Sequence, residues 1–245
     1  GTFPNHEANP IDEENLKDLK KMVRKKDADI GLAFDGDADR CFLVDETGTA
    51  VNPSLLTALI AARELKKKPG SAIIYNLISS RAVREIVEEN GGKPLRSRVG
   101  HSYIKAMMAE SGAIFGGEHS GHFYFSDFWR ADSGMLAALH AIAALGESQL
   151  SLSELLAPYA RYFASGEINS KVSDSKAIMA AIKSQYGAKS GVTTDELDGL
   201  TIDGDTWWFN VRASNTEPLL RLNLEAATRE QCDTQVAELL QLITA

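Results

Sequence analysis

Short apolar runs of strand length alternate with runs of helical periodicity through most of this 245-residue chain, and that alternation constrains its fold more than any other feature. Residues 11–26 are predicted helical, with Leu16, Leu19, Met22 and Val23 on one face. Helices are also predicted over 53–67, 80–90, 102–111 and 131–145. Strands are predicted up to Phe34 and over 40–45, 71–76, 93–99 and 113–116. Pro69-Gly70, Gly91-Gly92 and Gly146 punctuate them. Strands and helices at this spacing predict βαβ units and a mainly parallel sheet. The pattern changes near Arg161. From there a strand (162–172), a helix (174–186), two strands (206–212 and 219–225) and a final helix (228–243) predict a separate α+β domain of order βαββα.

A chain of 245 residues can bury a substantial core and is expected to form two or three domains. Its net charge of −8 leaves no basic face for nucleic acid, so an anionic ligand needs a local basic pocket. Cys41 and Cys232 form no CxxC pair and read as reduced thiols of a cytoplasmic protein. The longest apolar runs, such as 55–62, are too short to span a bilayer, and no signal peptide opens the chain. The opening Gly1-Thr2-Phe3-Pro4 lacks an initiator Met and reads as the middle of a longer protein.

The richest chemistry lies in Asp35-Gly36-Asp37-Ala38-Asp39-Arg40, between two apolar strands. Three carboxylates at alternate positions offer only oxygen ligands, which suits Mg²⁺. Arg40 adds a permanent, forked cation suited to phosphate. A hard cation beside such an arginine points to phosphoryl chemistry. An EF-hand calcium loop is the nearest rival, because Glu46 falls at its position 12. However, Arg40 occupies position 6, where the sharp turn needs Gly, and the flanks read as strands. An aspartyl-nucleophile phosphatase wants Thr or Val where Asp39 stands. A purely solvated acidic turn leaves three aspartates repelling one another.

Three further loops carry polar groups where ligands tend to bind. Gly100-His101-Ser102 opens a helix with Lys105 one turn on, an arrangement that favours an anion, although strand–Gly–helix junctions are common. Gly116-Gly117-Glu118-His119-Ser120-Gly121-His122 combines glycines, a carboxylate, a hydroxyl and imidazoles, which fits sugar hydroxyls; a plain polar hairpin fits as well. Arg212-Ala213-Ser214-Asn215-Thr216-Glu217-Pro218 offers a phosphate cradle, or equally a self-bonded Ser/Asn turn.

In this order the motifs resemble the α-D-phosphohexomutase family, its phosphomannomutase/phosphoglucomutase group in particular. Phe3-Pro4-Asn5-His6 resembles the lead-in to that family's second domain, and Asp35–Arg40 its metal loop, with Ala38 where Gly is commoner. The resemblance implies mixed βαβ-type three-layer α/β domains followed by a smaller α+β, TATA-binding-protein-like C-terminal domain. The implied segments are 1–48 (part of a second domain), 49–160 (a third) and 161–245 (the fourth).

It also implies an isomerase that interconverts hexose 1- and 6-phosphates through a phosphoserine and a hexose 1,6-bisphosphate. Asp35, Asp37 and Asp39 would hold Mg²⁺, and Arg40 would neutralise developing charge. Glu118 and Ser120 would bind sugar hydroxyls, with Gly100, His101 and Lys105 contacting phosphosugar. His122 is a candidate proton handler, its ordinary pKa of about 6.5 suiting the task. Arg212, Ser214, Asn215 and Thr216 would hold the phosphate that is not transferred.

The departure from the family's pattern is large: the family's first domain, and the opening strand and helix of its second, are not found in this sequence. A phosphoserine loop of the type Thr-Ala-Ser-His-Asn-Pro does not occur in it. Its expected partner is the family's N-terminal domain, and alone it is expected to lack turnover and to bind Mg²⁺ poorly. Phosphoglucosamine mutase is the nearest alternative, but that branch tends to carry Gln where His119 stands and Ser-Gly-Thr-Glu-Pro in the phosphate loop. A non-catalytic sugar-phosphate-binding module is the alternative from another class.

Overall fold

A computed structural model describes residues 1–214 and 217–244. The chain forms two compact units, Gly1–Ala160 and Arg161–Ala245.

The first unit opens with Asp12, whose side chain accepts from the Glu14 N–H at 3.0 Å and caps a 3-10 turn, Glu13–Leu16. Helix α1 (Lys17–Lys26) follows, so the helix expected over 11–26 starts later, where the cap sets it. Leu16 and Val23 face inward. Strands β1 (Ile30–Phe34) and β2 (Cys41–Asp45) form an antiparallel hairpin, with Ile30 opposite Asp45 and Phe34 opposite Cys41. All five β2 residues are buried.

Next come α2 (Pro53–Lys67), β3 (Ala72–Asn76), α3 (Arg81–Glu89), β4 (Lys93–Ser97), α4 (His101–Ser111), β5 (Phe115–Gly117), β6 (Phe123–Phe125), β7 (Ala131–Asp132), α5 (Gly134–Gly146) and α6 (Leu152–Leu156). Their sheet has the order β4-β3-β5-β6-β7. Only β4, β3 and β5 run parallel; β6 and β7 continue as an antiparallel ribbon. The sheet is therefore mixed where a mainly parallel one was expected. β6 and β7 are too short to carry a period-2 signal. The helix expected over 131–145 begins at Gly134, because the Ser133 hydroxyl caps it by accepting from Leu136 N–H at 3.2 Å; Ala131 and Asp132 are left to β7.

The strand pleat sends alternate side chains to opposite faces. Ile73, Phe115 and Phe123 pack with Leu56, Ile60 and Ala141 of α2 and α5. Ile74 and Tyr124 pack on the other face with Ile104 and Met108 of α4. Helices thus cover both faces, which makes three layers. Each such large apolar side chain contributes about 2 kcal/mol by leaving water.

The second unit is α+β. Strands β8 (Phe163–Lys171), β9 (Thr193–Asp195), β10 (Leu200–Asp203), β11 (Trp207–Ala213) and β12 (Leu219–Ala226) form one antiparallel sheet, ordered β8-β12-β11-β10-β9. Helices α7 (Ser175–Tyr186) and α8 (Arg229–Thr244) supply Ile182, Tyr186, Leu239 and Ile243 to its core, against Phe209, Val211, Leu220 and Leu222. The expected βαββα order lacks β9 and β10, whose three and four residues lie beside Asp198-Gly199 and read as loop.

Cys41 and Cys232 are free and buried, and burial pushes the Cys41 thiol up to about 12. Among the described residues no helix is long and apolar enough to cross a membrane.

Candidate active site

The acidic loop joins β1 to β2 within a tight hairpin, and Ala38 takes a left-handed φ of 60° to complete the turn. Arg40 folds back on the loop. Its N–H and Nε donate to the two oxygens of Asp35 at 3.1 and 2.7 Å, and Nη1 donates to Asn9 Oδ1 at 3.3 Å. Burial would raise the Asp35 carboxyl, but the hydrogen bonds from Arg40 outweigh it and hold the group below the ordinary range. Asp39 behaves oppositely. Burial first, then the neighbouring Asp35 and Asp37, push its pKa up, with His122 opposing in part.

Asp35, Asp37 and Asp39 each bring an oxygen within 4.8 Å of the others. Asp39 Oδ1 is buried and has no hydrogen-bond partner. An orphan acceptor among mutually repelling carboxylates fits a hard divalent cation, which relieves both penalties. Glu46 lies outside this group: its carboxylate accepts from Ser153 N–H at 3.1 Å and from the Ser153 hydroxyl, at the start of α6. The EF-hand reading fails there, and on the strands that flank the loop.

The loop between β5 and β6 reverses at Gly121, with Glu118 N–H donating to His122 O and Gly121 N–H to Glu118 O, both at 3.0 Å. Gly121 has a φ of 86°, and a Cβ there would lie 2.4 Å from the Phe42 ring, so this turn needs Gly. Cys41 N–H donates to Gly121 O at 3.0 Å, and Arg40 and His122 form a backbone bridge. That bridge brings the acidic and polar loops together.

Side chains follow the backbone. His122 Nε2 lies 3.5 Å from Asp39 Oδ2, while Nδ1 shares a 2.9 Å hydrogen bond with the Ser120 hydroxyl. Glu118 is 1% exposed and accepts from Tyr124 OH at 2.7 Å, Gly100 N–H at 3.1 Å and Asn76 Nδ2 at 3.4 Å. Burial and the charge of Glu118 push the Tyr124 phenol far up, so it stays a donor. Glu118 thereby ties β5 to the start of α4. Lys105, from α4, pairs with Asp132 at 2.7 Å, and Asp132 also lies with Asp39 and His122 in a group whose ligand atoms fall within 4.8 Å of one another.

Asp35, Asp37, Asp39, Arg40, Gly100, Lys105, Glu118, Ser120 and His122 are thus linked in the first unit, whereas His101 heads α4 exposed to solvent. Asn9, Asn76, Tyr124 and Asp132 belong to the same network and escaped the sequence reading. Ser133, a helix-capping residue, carried the signal for Asp132, since it ends the strand and starts the helix. In the second unit Arg212 lies near the end of β11, with Asp198 at 3.9 Å, and Ser214 N–H donates to Leu219 O at 2.8 Å as the hairpin closes. Asn215 and Thr216 lie outside the described residues.

Fold and loops together define a multidomain α/β protein with a carboxylate-rich centre linked to a polar loop. The chain belongs to the phosphoglucomutase/phosphomannomutase family: residues 1–48 match its alpha/beta/alpha domain II, 52–162 its alpha/beta/alpha domain III and 167–242 its C-terminal domain. It is 44% identical over 243 residues to a phosphomannomutase of Methanocaldococcus jannaschii, covering 99% of this chain and 54% of that protein. It is 41% identical over 246 residues to a protein named phosphohexose mutases of Xanthomonas campestris pv. campestris, covering 98% and 55%. A crystal structure of a phosphoglucomutase/phosphomannomutase family protein from Burkholderia thailandensis superposes with a TM-score of 0.86 at 30% identity, covering 99% of this chain and 53% of that one. The chain therefore spans about half the length of the relatives it matches.

Proposed function

We propose that the chain is the C-terminal part of a phosphohexomutase of the phosphomannomutase/phosphoglucomutase kind. The whole protein would be a cytoplasmic isomerase that moves a phosphoryl group between the 1- and 6-positions of a hexose. A phosphoserine and a hexose 1,6-bisphosphate would mediate the transfer. The serine would come from an N-terminal domain, so these 245 residues are expected to show no turnover alone. Segments 1–48, 49–160 and 161–245 would be its second, third and fourth domains.

One observation carries the reading: the Arg40–His122 backbone bridge, which sets a carboxylate group and an imidazole 3.5 Å apart. Asp35, Asp37 and Asp39 would hold Mg²⁺, which supplies charge neutralisation at phosphoryl oxygens when bound. Arg40, anchored to Asp35 through Nε, keeps further N–H groups for a phosphoryl oxygen. Its anchoring removes most of the reorganisation that a free arginine would need. Ser120 orients His122 through Nδ1, which leaves Nε2 to hold or move a hydroxyl proton of the sugar. Glu118 and Ser120 would receive sugar hydroxyls, and Gly100, His101 and Lys105 the phosphosugar. Arg212 and Ser214, with Asn215 and Thr216, would hold the phosphate that is not transferred.

The test joins this chain to the N-terminal half of its M. jannaschii relative and assays mutase activity. Glucose 1-phosphate and mannose 1-phosphate are each supplied with Mg²⁺ and a trace of bisphosphate. Turnover of both sugars that collapses in Asp37→Asn supports the reading. No turnover of either, in a folded fusion that binds Mg²⁺, overturns it.

A further inference from the structure

We propose that Asp132 is a positioning residue that fixes the Lys105 ammonium for a phosphoryl oxygen of the hexose phosphate. The inference rests on the phosphosugar reading above and adds to it a residue outside the loop motifs of the sequence.

The place of Asp132 is electrostatically unfavourable for a carboxylate alone. Its side chain is only 9% exposed, and it forms a group with Asp39 and His122 whose ligand atoms fall within 4.8 Å of one another. A carboxylate so near Asp39 is repelled by it and would also repel an incoming anion. With so little access to water it needs a cation beside it. Lys105 supplies that cation at 2.7 Å.

The β6–β7 ribbon holds the acceptor still. Asp132 is the register partner of Tyr124, and the next residue, Ser133, donates its N–H to Phe123 O at 2.9 Å. Lys105 Nζ lies over the Tyr124 ring, 5.8 Å from its centre, and the Tyr124 hydroxyl donates to Glu118. Helix α4 is thus held both at Gly100 N–H, by Glu118, and at Lys105, by Asp132. A lysine carries its charge on a flexible four-carbon stem. Fixing that stem ahead of binding removes an ordering cost that the ligand would otherwise have to overcome. The pair takes one of the three ammonium donors. The Lys105 side chain is still 41% exposed, so the remaining donors can meet a ligand from solvent.

The direction of the effect separates this role from simple charge. Were Asp132 only a neighbouring negative charge, its removal would tighten the binding of an anion. As the anchor of Lys105, its removal weakens it.

The experiment titrates this chain with glucose 1-phosphate and follows backbone amides and isotope-labelled lysine ammonium groups by NMR. The wild type is expected to show a Lys105 ammonium resonance slowed in exchange with water, which Asp132→Asn loses and Asp132→Glu restores in part. Asp132→Asn should weaken glucose 1-phosphate about threefold, and Lys105→Met about tenfold. In the Lys105→Met background, Asp132→Asn should cause no further loss or should tighten binding, because only the repulsion remains. Equal weakening by Asp132→Asn in both backgrounds would give the residue a merely structural role and overturn the proposal. Tighter binding in the single variant, or an ammonium resonance indifferent to Asp132, would overturn it too. Failure of the wild-type chain to bind glucose 1-phosphate also overturns it, and the fusion assay then decides the mutase reading separately.

Discussion

Gly134, the first residue of α5, packs its bare α-carbon against the backbone of Arg40: a Cβ there would lie 2.5 Å from the Arg40 carbonyl oxygen and 2.9 Å from that of Ala38. Gly134 N–H also donates to Ala38 O at 3.1 Å. The acidic loop is thereby seated on the start of a helix, and neither partner is a flexible side chain that could yield. Gly134→Ala is expected to destabilise the first unit by about 1–3 kcal/mol through forced backbone displacement. Gly146→Ala, at the other end of α5 with nothing within 4 Å, is expected to be neutral or slightly stabilising. Urea unfolding of both variants checks the contrast, and equal effects would refute the role given to the Arg40 contact.

Ala38 pays for the loop's geometry with a left-handed backbone, φ 60°, a conformation costing L-residues about 1–2 kcal/mol. Ala38→Gly relieves that strain but adds entropy to the unfolded chain. The net expectation is a gain of about 0.5–1 kcal/mol. Ala38→Val, β-branched in the same conformation, should lose stability. Chemical denaturation should rank Gly above Ala above Val; any other order would mean that the turn rearranges.

How much of this was legible follows from which features are local. Asp35, Asp37 and Asp39 stand out because carboxylates at every second position between apolar strands repel one another unless a cation binds them. Ile73 and Ile74 could be assigned to a buried strand, though not to opposite faces with different helices. Ser133 could have set the start of α5, but the Ala/Leu-rich run behind it drew the helix back over Asp132. The roles of Tyr124 and Asn76 as donors to Glu118 depend on which strands become neighbours, and no spacing in the chain encodes that. Tertiary contact also turned Glu118 from an expected open ligand group into one engaged by three internal donors.

Those three donors predict the behaviour of Glu118→Gln. The carboxylate accepts from Tyr124 OH, Gly100 N–H and Asn76 Nδ2. A glutamine offers one acceptor oxygen and turns an N–H₂ toward donors. The variant is expected to lose about 2–3 kcal/mol, since buried donors are left unmatched. Gly100 N–H should also lose protection in hydrogen exchange. Wild-type stability with unchanged exchange at Gly100 would remove Glu118 from its anchoring role.

Magnesium binding should be weak in this chain, with a Kd on the order of 1 mM, because three carboxylates alone make a sparse site for an ion that usually also takes substrate phosphate. Asp37→Asn should weaken it further. Asp39 has a raised pKa from burial and its acidic neighbours, so its proton competes with the cation at higher pH than for an ordinary aspartate. Affinity should therefore fall as the solution is acidified through that raised pKa. Calorimetric titration at several pH values measures both effects; tight stoichiometric binding would contradict the first, and pH-independent affinity the second.

His140, on α5, gives a separate pH signature. It stacks on Phe125 with ring centroids 5.3 Å apart, and burial lowers its pKa below 6.5 despite Glu64 at 3.7 Å. The unfolded chain therefore binds a proton at this site before the folded one does. Stability is highest above the unfolded value, falls as pH drops through about 6.5, and levels off below the folded pKa. His140→Gln removes the titrating group, so its unfolding free energy should lose that dependence between about pH 7.5 and 5.5 while losing part of the stacking. Urea unfolding of both proteins across this window gives the comparison. A variant that retains the full wild-type slope would assign the pH dependence to other groups.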